Sequence, residues 1–423
     1  MSILKRFSKE TRGAVAPIFC LALLPMLAFV GAAVDYSRQS NTKSRLQAAV
    51  DSAALKLARD GRNATDAQLA VMAANYVNAQ FQSPNSSSPA RIAVSRTTEK
   101  IRITATSSTP VMFMQIAGFG DMPVATATEA AFGRKKIELA LVLDNTGSMS
   151  RLNKMTELKR AVAALINDFE AMRPQGDEIR VSIVPFDTQV RADANTFRAA
   201  SWLSYNPVGP LPFDTRVTQA AWGGCIVERG PNAADNNDVS ERLPVPGFAE
   251  TLHPAVACKA GLAVMRPLTR DWNALRATNS AMAPGGCTNI TIGARWGLEM
   301  LSRGGPYTEA ADYGASDIEK YMVILTDGDN TQNRWINGCS TPGDTTQIDN
   351  RTRRMCDEIN ERGIAVKQRN IKLFTVRVID GNRTLLRDCA TTPEMYKEVN
   401  DATQLSRVFR EIFEAVTRVR ISS

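Results

Sequence analysis

Hydrophobic positions form three successive patterns along the chain, which has 423 residues. The first pattern is a continuous apolar run, GAVAPIFCLALLPMLAFVGAAV, which extends from Gly13 to Val34 and contains no charged residue. A helix of this length spans about 33 Å at ~1.5 Å per residue, and the hydrocarbon core of a bilayer is roughly 30 Å thick. The run therefore predicts a transmembrane helix over residues 13–34.

A basic tail, residues 1–12, precedes this helix and predicts its orientation. It contains four basic side chains, which are Lys5, Arg6, Lys9 and Arg12. By the positive-inside rule the N-terminus stays in the cytoplasm, and the chain after Val34 lies across the membrane. A cleaved signal peptide is the alternative, because small residues stand near the end of the run, although the run is long for a signal sequence.

The second pattern covers residues 35–132 and combines helical with strand-like spacing. Four apolar residues recur at helical intervals after the membrane segment: Leu46, Val50, Ala53 and Leu57. Thr65 and Gln68 form a capping-box pattern, which predicts the start of a second helix. Alternating apolar and polar residues then predict three strands, at Ile92–Val94, Ile101–Ala105 and Val124–Phe132. Together these elements indicate a small α+β module.

The third pattern, in residues 133–423, alternates apolar strands with amphipathic helices. Strands are predicted at Ile137–Leu143, Ile179–Val184, Tyr321–Leu325 and Ile371–Val378. Helices are predicted near Met155–Met172 and Ala402–Val416. This alternation is typical of an α/β fold with a doubly wound, mostly parallel sheet and helices on both faces. A Pro- and Gly-rich insertion at about 187–267 is interpreted as loops at one edge of that sheet.

The net charge of +8 and the pI of about 9.2 raise the question of a nucleic-acid partner. Lys and Arg form no dense run, however, and do not interleave with aromatic residues as nucleic-acid-binding segments do. We therefore interpret the charge as a solvated basic surface and expect no nucleic-acid partner.

The cysteines agree with an exported domain. Six of them follow the membrane segment, and an even number in an oxidising compartment predicts disulfides. Cys356 precedes and Cys389 follows one predicted strand, so they should be neighbours and form a pair. For the other four we expect Cys225–Cys258 and Cys287–Cys339, although six cysteines allow many other pairings. Because the chain has a single histidine and no C-x-x-C pair, a zinc site is not expected.

Small oxygen donors follow the predicted strands. The stretch LVLDNTGSMS offers Asp144, Thr146 and Ser148, and the stretch VILTDGDN offers Asp327. Thr288 stands in a Gly-containing loop, PGGCTNITIG, before a predicted helix. Open parallel sheets bind ligands beyond the carboxyl ends of their strands. Two carboxylates and three hydroxyls are hard donors that suit Mg²⁺ (or Mn²⁺), which prefers octahedral oxygen ligands and keeps some of its waters.

These donors resemble the metal-ion-dependent adhesion site of von Willebrand factor type A domains. The family pattern is Asp-x-Ser-x-Ser, a distant Thr and a distant Asp. Here DNTGS, Thr288 and Asp327 match it, with Thr146 in place of the first Ser. The resemblance covers about Lys136–Arg420. It implies that Asp144, Thr146, Ser148, Thr288 and Asp327 hold Mg²⁺ or Mn²⁺, and that an acidic side chain of a protein partner takes the open metal position.

The N-terminal stretch RGAVAPIFCLALLPMLAFVGAAVDYSR resembles the membrane segment of TadG-like proteins of the tight-adherence (Flp) pilus system. The α+β module at 35–132 resembles the pilin-like part of that group, in which a C-terminal type A domain also occurs. The resemblance implies a single-pass protein of the bacterial inner membrane. Its C-terminal domains would be periplasmic and would bind other pilus assembly components, without enzymatic activity.

Two other functions stay open at this stage. A cell-surface or matrix adhesin could carry the same type A domain. A metal-dependent phosphatase-like enzyme with Asp144 as nucleophile has less support, because Thr146 stands where haloacid-dehalogenase-type phosphatases have a second Asp. In addition, the sequence shows no Lys close to the donors, no G-x-x-x-x-G-K-[ST] loop and no Ser–His pair.

Overall fold

The computed structural model describes residues 15–61, 64–82, 89–97, 100–131, 136–172, 174, 178–211, 215–230, 239, 244–259, 261–315, 317–336, 339, 345–363 and 368–417. The predicted basic tail, residues 1–12, lies outside them. The chain divides into two compact units, one of residues 1–134 with 419–423 and one of residues 135–418. Each unit has a hydrophobic core of its own.

The N-terminal unit contains a long helix, a short helix and a three-stranded sheet. The helices are α1 (Val15–Asp60) and α2 (Asp66–Gln80). The strands are β1 (Arg91–Arg96), β2 (Lys100–Thr109) and β3 (Met122–Ala131). They pair antiparallel in the order β1-β2-β3, and a 3-10 helix at Met114–Ala117 lies between β2 and β3 in sequence.

The core of this unit lies where the sequence pattern places it. The four residues predicted for one face of α1 are all buried: Leu46, Val50, Ala53 and Leu57. Burial alternates along β2, with Ile101, Ile103 and Ala105 facing inward. At the start of α2, Thr65 Oγ1 accepts a hydrogen bond from the backbone N–H of Gln68, and the Gln68 side chain accepts one from the N–H of Thr65. The predicted capping box is therefore present.

The first part of α1 exposes apolar side chains. The exposed large hydrophobic residues along it are Phe19, Leu21, Leu23, Met26, Leu27, Phe29, Val30 and Val34. In the described part of the chain, one helical stretch, Leu21–Ala58, is long and apolar enough to cross a membrane by length and composition. This stretch fits the membrane anchor predicted at residues 13–34.

Parallel strands form the centre of the sheet in the C-terminal unit, in the order β13-β12-β11-β4-β5. Their bounds are Lys136–Asp144 for β4, Ile179–Phe186 for β5, Ile318–Thr326 for β11, Ile371–Val378 for β12 and Tyr396–Val399 for β13. The four strands predicted from the sequence are all among them. The predicted fold class, a mostly parallel α/β sheet, is therefore confirmed.

Helices cover both faces of this sheet. The helices of the unit are α3 (Lys154–Ala171), α4 (Ala194–Phe197), α5 (Trp272–Ala281), α6 (Ile290–Leu301), α7 (Thr345–Ile359), α8 (Arg383–Cys389) and α9 (Leu405–Thr417). Val142 of β4 belongs to a core with α6, α7 and α8, whereas Leu141 and Leu143 belong to a core with α3, α5 and α9. Because both faces of the strands are buried, their sequences are uninterrupted apolar runs.

Two glycines allow α6 to pack closely on the sheet. A Cβ atom on Gly297 would lie 2.5 Å from Val142 Cγ2, and one on Gly293 would lie 2.6 Å from Phe186 Cδ1. A larger residue at either position would push the helix away from β4 and β5. The start of α6, next to Thr288, is thereby held near the carboxyl ends of these strands.

The insertion differs from the loops that were predicted. Its short strands continue the sheet beyond β5 in the order β6-β8-β9-β7, and one more strand, β10, pairs antiparallel with β5. Their bounds are β6 Val190–Arg191, β7 Leu203–Ser204, β8 Cys225–Ile226, β9 His253–Val256 and β10 Arg266–Thr269. Strands of two to four residues are too short to produce an alternating pattern. For this reason the sequence did not reveal them.

Three disulfides link the cysteines of the C-terminal unit, and all three are the predicted pairs. The Cα atoms are 5.1 Å apart in Cys225–Cys258, 5.4 Å apart in Cys287–Cys339 and 5.1 Å apart in Cys356–Cys389. The third bond joins α7 to α8.

We expect replacement of both Cys356 and Cys389 by alanine to lower the free energy of unfolding by about 3–4 kcal/mol. The bond closes a stretch with a sequence separation of 33 residues, and it restricts the unfolded chain more than the folded one. The melting temperature should fall by on the order of 10 °C, which calorimetry can measure. Cys20→Ala, in the predicted membrane segment, is the control and should leave it unchanged. A double variant with the same melting temperature as the parent protein would contradict this prediction.

Candidate metal centre

The predicted donors lie at the carboxyl ends of two adjacent parallel strands. Asp144 is the last residue of β4, and Asp327 directly follows β11. These strands are paired in register, with Leu143 opposite Leu325. The chain after Asp144 turns into a short 3-10 helix, Gly147–Ser150, so Thr146 and Ser148 stay at the same edge of the sheet.

Hydrogen bonds join four of the five predicted residues in a chain. The backbone N–H of Thr146 donates to Asp144 Oδ1 at 2.7 Å. The hydroxyls of Thr146 and Ser148 are hydrogen-bonded to each other at 2.9 Å. Ser148 Oγ then donates to Asp327 Oδ1 at 2.6 Å. The structure therefore brings both carboxylates and two of the hydroxyls into contact.

The fifth residue, Thr288, faces the same place. A Cβ atom on Gly328 would lie 3.4 Å from Thr288 Oγ1 and 3.6 Å from Ser148 Oγ, so both hydroxyls border the space beside this glycine. The Thr288 loop is fixed by Thr331, whose hydroxyl accepts from the Thr288 N–H and whose N–H donates to the Thr288 carbonyl, each at 2.9 Å. Thr288 thus lies near Ser148, which is within the chain of hydrogen bonds that joins the other four residues.

Asp144 is a buried carboxylate in this cluster. Its side chain is fully shielded from solvent, and Thr326 Oγ1 donates to its Oδ2 at 2.6 Å. Burial, and then the charge of Asp327, raise the pKa of Asp144 to about 7. The hydrogen bonds from Thr146 and Thr326 act in the opposite direction. The carboxylates of Asp144 and Asp327 repel each other when both are charged, and a bound cation would reduce this repulsion.

Lys154 also belongs to the site, and here the sequence-based expectation of no Lys near the donors is wrong. Its Nζ lies 2.8 Å from Asp327 Oδ2 and 3.0 Å from Asp380 Oδ2, and the side chain is buried. Burial alone would lower the pKa of Lys154, but the hydrogen bonds and charges of Asp327 and Asp380 outweigh it and raise the pKa. Lys154 is therefore a permanent cation beside the donors.

The helix position of Lys154 is a signal that could have revealed this role. Lys154 is the first residue of α3, where the helix dipole disfavours a positive charge unless a carboxylate balances it. Leu152 and Asn153 precede it with φ angles of 52° and 56°, a left-handed conformation that is rare for Leu. Spacing along the sequence alone does not indicate which carboxylate the lysine meets.

Asp187 is another residue near the site that the sequence analysis did not single out, and it orders the loop beside the site. It follows β5 directly, and its Oδ1 accepts from the N–H of Gln189 at 2.6 Å. Its carbonyl accepts from the N–H of Asn289, next to Thr288, at 3.0 Å. Burial raises the pKa of Asp187 to about 6. We assign it to positioning the Thr288 loop, because no contact links its carboxylate to the five donors.

The donor set fits a hard divalent cation. Neighbouring ligands of an octahedral Mg²⁺, with bonds of about 2.0–2.1 Å, lie about 2.9 Å apart. The two hydroxyl oxygens of Thr146 and Ser148 are separated by this distance, 2.9 Å. Both oxygens of Asp327 already accept hydrogen bonds, from Ser148 and Lys154, so this carboxylate would support a cation through its neighbours. Across the described ranges, no group of three or more His, Cys, Asp or Glu side chains could hold a metal, so the hydroxyls are essential to this site.

Comparison with known proteins identifies the N-terminal segment. Residues 13–56 match the family model of putative Flp pilus-assembly TadE/G-like proteins. The matched residues contain the apolar run and the rest of α1 as far as residue 56, so the resemblance predicted from RGAVAPIFCLALLPMLAFVGAAVDYSR is confirmed. No curated protein matches the chain.

Solved structures with a similar fold include pilus proteins and von Willebrand factor domains. The pilus adhesin SpaC from Lactobacillus rhamnosus GG is 13% identical with a TM-score of 0.39; the match covers 80% of this chain and 35% of SpaC. The chain therefore corresponds to about a third of the length of SpaC. The von Willebrand factor domain of the type V pili tip protein Mfa5 from Porphyromonas gingivalis is 9% identical with a TM-score of 0.41, over 69% of this chain and 99% of that domain.

A third similar structure contains a metal. Proximal thread matrix protein 1 from the mussel byssus, with a zinc-occupied metal-ion-dependent adhesion site, is 13% identical with a TM-score of 0.35. The match covers 66% of this chain and 47% of that protein.

Proposed function

We propose that this protein is a membrane-anchored, periplasmic component of Flp (tight-adherence) pilus assembly. In this proposal it binds an acidic side chain of a protein partner, another pilus assembly component, through Mg²⁺ or Mn²⁺. The cation is held by Asp144, Thr146, Ser148, Thr288 and Asp327. The observation that carries the proposal is the chain of hydrogen bonds from Asp144 to Asp327 through two hydroxyls, in a protein whose N-terminal segment is TadE/G-like.

The location of these donors supports a binding role. They lie at the edge of the sheet, where Asp144 ends β4, Asp327 directly follows β11 and Thr288 stands just before α6, and all three elements are buried. A site on such elements is held in one geometry before a partner arrives, which reduces the entropy lost on binding. The uncharged run of residues 13–34 and the basic tail before it support a single membrane crossing with the remaining chain in the periplasm.

Lys154 raises the enzyme alternative again, since phosphatase-like sites use a lysine beside an aspartate. Two observations favour binding instead. Asp144 is fully buried, and its oxygens accept hydrogen bonds from the Thr146 N–H and the Thr326 hydroxyl. Lys154 is engaged by Asp327 and Asp380. Neither group is presented to a substrate as a nucleophile or a phosphate clamp would be.

We expect millimolar Mg²⁺ or Mn²⁺ to raise the melting temperature of the protein, because a ligand that binds only the folded state stabilises it by mass action. At a hundredfold excess over the dissociation constant the gain is about 2.7 kcal/mol. Asp144→Ala should abolish the rise while the protein still folds. Calorimetry with and without each metal measures both effects.

Asp271→Ala is the matched control for this experiment. Asp271 caps α5 by accepting the N–H of Ala274 at 2.9 Å, away from the donors, so its loss should lower stability by about 1 kcal/mol and preserve the metal-dependent rise. The same preparation should release no phosphate from p-nitrophenyl phosphate. A melting temperature that changes with neither metal would refute the metal site. Phosphate release that is lost in Asp144→Ala would favour the enzyme alternative.

A further inference from the structure

A short apolar segment of the N-terminal unit exposes several large side chains. We call residues 111–120, between β2 and β3, the apolar loop. Met112 is 59%, Phe113 47%, Ile116 89% and Phe119 57% exposed. Soluble surfaces seldom collect large apolar side chains so densely, and such patches usually mark an interaction site.

Asp35 of α1 holds the apolar loop in place. Its carboxylate accepts three backbone N–H groups, from Met112 at 2.9 Å, Phe113 at 2.9 Å and Met114 at 2.8 Å. Asp35 is only 1% exposed. Met114 is the first residue of the 3-10 helix Met114–Ala117, where N–H groups have no partner within the helix, and Met112 and Phe113 directly precede it. The Asp35 carboxylate therefore gives these three backbone N–H groups a hydrogen-bond acceptor and holds the apolar loop against α1.

The contact of Phe113 with α1 shows where along the helix axis the apolar loop lies. A Cβ atom on Gly31 would lie 2.5 Å from Phe113 Cβ, so the side chain of Phe113 packs directly on the helix backbone at this glycine. Gly31 lies three residues before the end of the predicted transmembrane run at Val34, which is about 5 Å along a helix. If residues 13–34 cross the bilayer, Phe113 must lie within its boundary region.

We propose that the apolar loop inserts into the membrane interface beside α1, where Met112, Phe113, Ile116 and Phe119 contact lipid. This inference rests on the membrane anchor of the proposed function. Leu27 and Val34, four residues before and three residues after Gly31 on the same face of α1, are also exposed and continue the apolar surface along the helix. Apolar side chains at the interface are stabilised because their surface is removed from water. The membrane helix and the apolar loop would then both contact the bilayer, and two contacts restrict the orientation of the N-terminal unit relative to the membrane more than one contact does.

The proposal can be tested by the depth of a fluorophore in the full-length protein. Cys20→Ala removes the cysteine that forms none of the three disulfides, and Ile116→Cys then provides a single site for a nitrobenzoxadiazole label. The protein is reconstituted at a low protein-to-lipid ratio in vesicles of phosphatidylethanolamine and phosphatidylglycerol that contain doxyl-labelled phospholipid. We expect the lipid-borne quencher to reduce the emission at Ile116 at least threefold more than at the control position.

Two labels at other positions serve as references. Val71→Cys on α2 is the water-exposed control, because α2 follows Gly61, which is on the order of 40 Å along α1 from Val34. Phe29→Cys on α1 reports the membrane crossing itself. If Phe29 is quenched by lipid and Ile116 behaves like Val71, the inference fails while the anchor stands. If Phe29 is not quenched by lipid, both fail.

Two further outcomes complete the test. Shielding of the Ile116 label from aqueous iodide without quenching by lipid would mean that protein, such as a second copy, covers the loop, and this would overturn the proposal. Asp35→Ala removes the acceptor of the three N–H groups, so the lipid quenching at Ile116 should fall at least twofold while that at Phe29 is unchanged. An Asp35→Ala protein with undiminished quenching at Ile116 would show that the carboxylate does not position the loop.

Discussion

Glu138→Ala is expected to lower the free energy of unfolding of the C-terminal unit by about 3–5 kcal/mol. Glu138 lies on β4 and is 1% exposed; its Oε2 accepts from Lys320 Nζ and its Oε1 from Arg180 Nη2. Glu138 Oε1 also accepts from the N–H of Ala311 at 2.8 Å. Without this carboxylate, the buried ammonium of Lys320 keeps the carbonyl oxygens of Leu301 and Ala311 but loses its hydrogen-bonded negative partner. Breaking a buried pair by removing one partner leaves an uncompensated charge, which is the main source of the loss.

Chemical denaturation at several pH values measures this loss. Burial already lowers the pKa of Lys320, and Glu138 opposes that shift. In Glu138→Ala the pKa of Lys320 should fall further, so between this lowered pKa and the pKa of an unfolded lysine the unfolded chain binds more protons than the folded one. Stability rises with pH under this condition. The deficit of the variant should therefore shrink as the pH approaches the pKa of an unfolded lysine, near 10.4.

Asp357→Ala is the matched control for Glu138→Ala. Asp357 pairs with Arg362 on the surface of the same unit, where the two side chains are 49% and 40% exposed. Exposed pairs contribute about 0–1 kcal/mol, so this variant should be nearly as stable as the parent. Equal losses in the two variants would contradict the role assigned to the buried cluster around Glu138.

The sequence predicted the central sheet because its strands are buried on both faces. Ile371–Val378 was placed with both ends correct, and Ile137–Leu143 was extended by only one residue at each end. The same continuity predicted two of the candidate donors, since a buried apolar run has a visible end and Asp144 and Asp327 stand at two such ends. Thr288 carried no strand signal of its own and was predicted from its place in a Gly-containing loop before a helix.

The remaining features depend on contacts between residues that are distant in the chain. Asp35 and Met112 meet across 77 positions, and Lys154 and Asp327 across 173, so no local pattern reveals either contact. The insertion strands obtain their pairing from the edge of β5 and are too short for a periodic signal. In all three cases the deciding energy is tertiary, which overrides local sequence preference.

Lys154→Met is expected to raise the affinity of the site for Mg²⁺ at least tenfold. The Lys154 ammonium lies beside the donors and repels an arriving cation, and it already neutralises Asp327 at 2.8 Å. At an effective dielectric constant of about 20, a unit charge several ångströms from a divalent cation contributes several kcal/mol before screening, so tenfold is a lower bound. Methionine has a similar length and no charge. Titration calorimetry with Mg²⁺ measures the change.

The same substitution should destabilise the metal-free protein by about 3–5 kcal/mol, because Asp327 is buried and loses its cationic partner. Denaturation with and without Mg²⁺ should therefore show a larger metal-dependent gain in Lys154→Met than in the parent. Lys159→Met on the same helix is the control, since Lys159 Nζ binds the carbonyl of Ser280 and contacts none of the donors. An unchanged or weaker Mg²⁺ affinity in Lys154→Met would mean that the lysine supports the cation instead of competing with it.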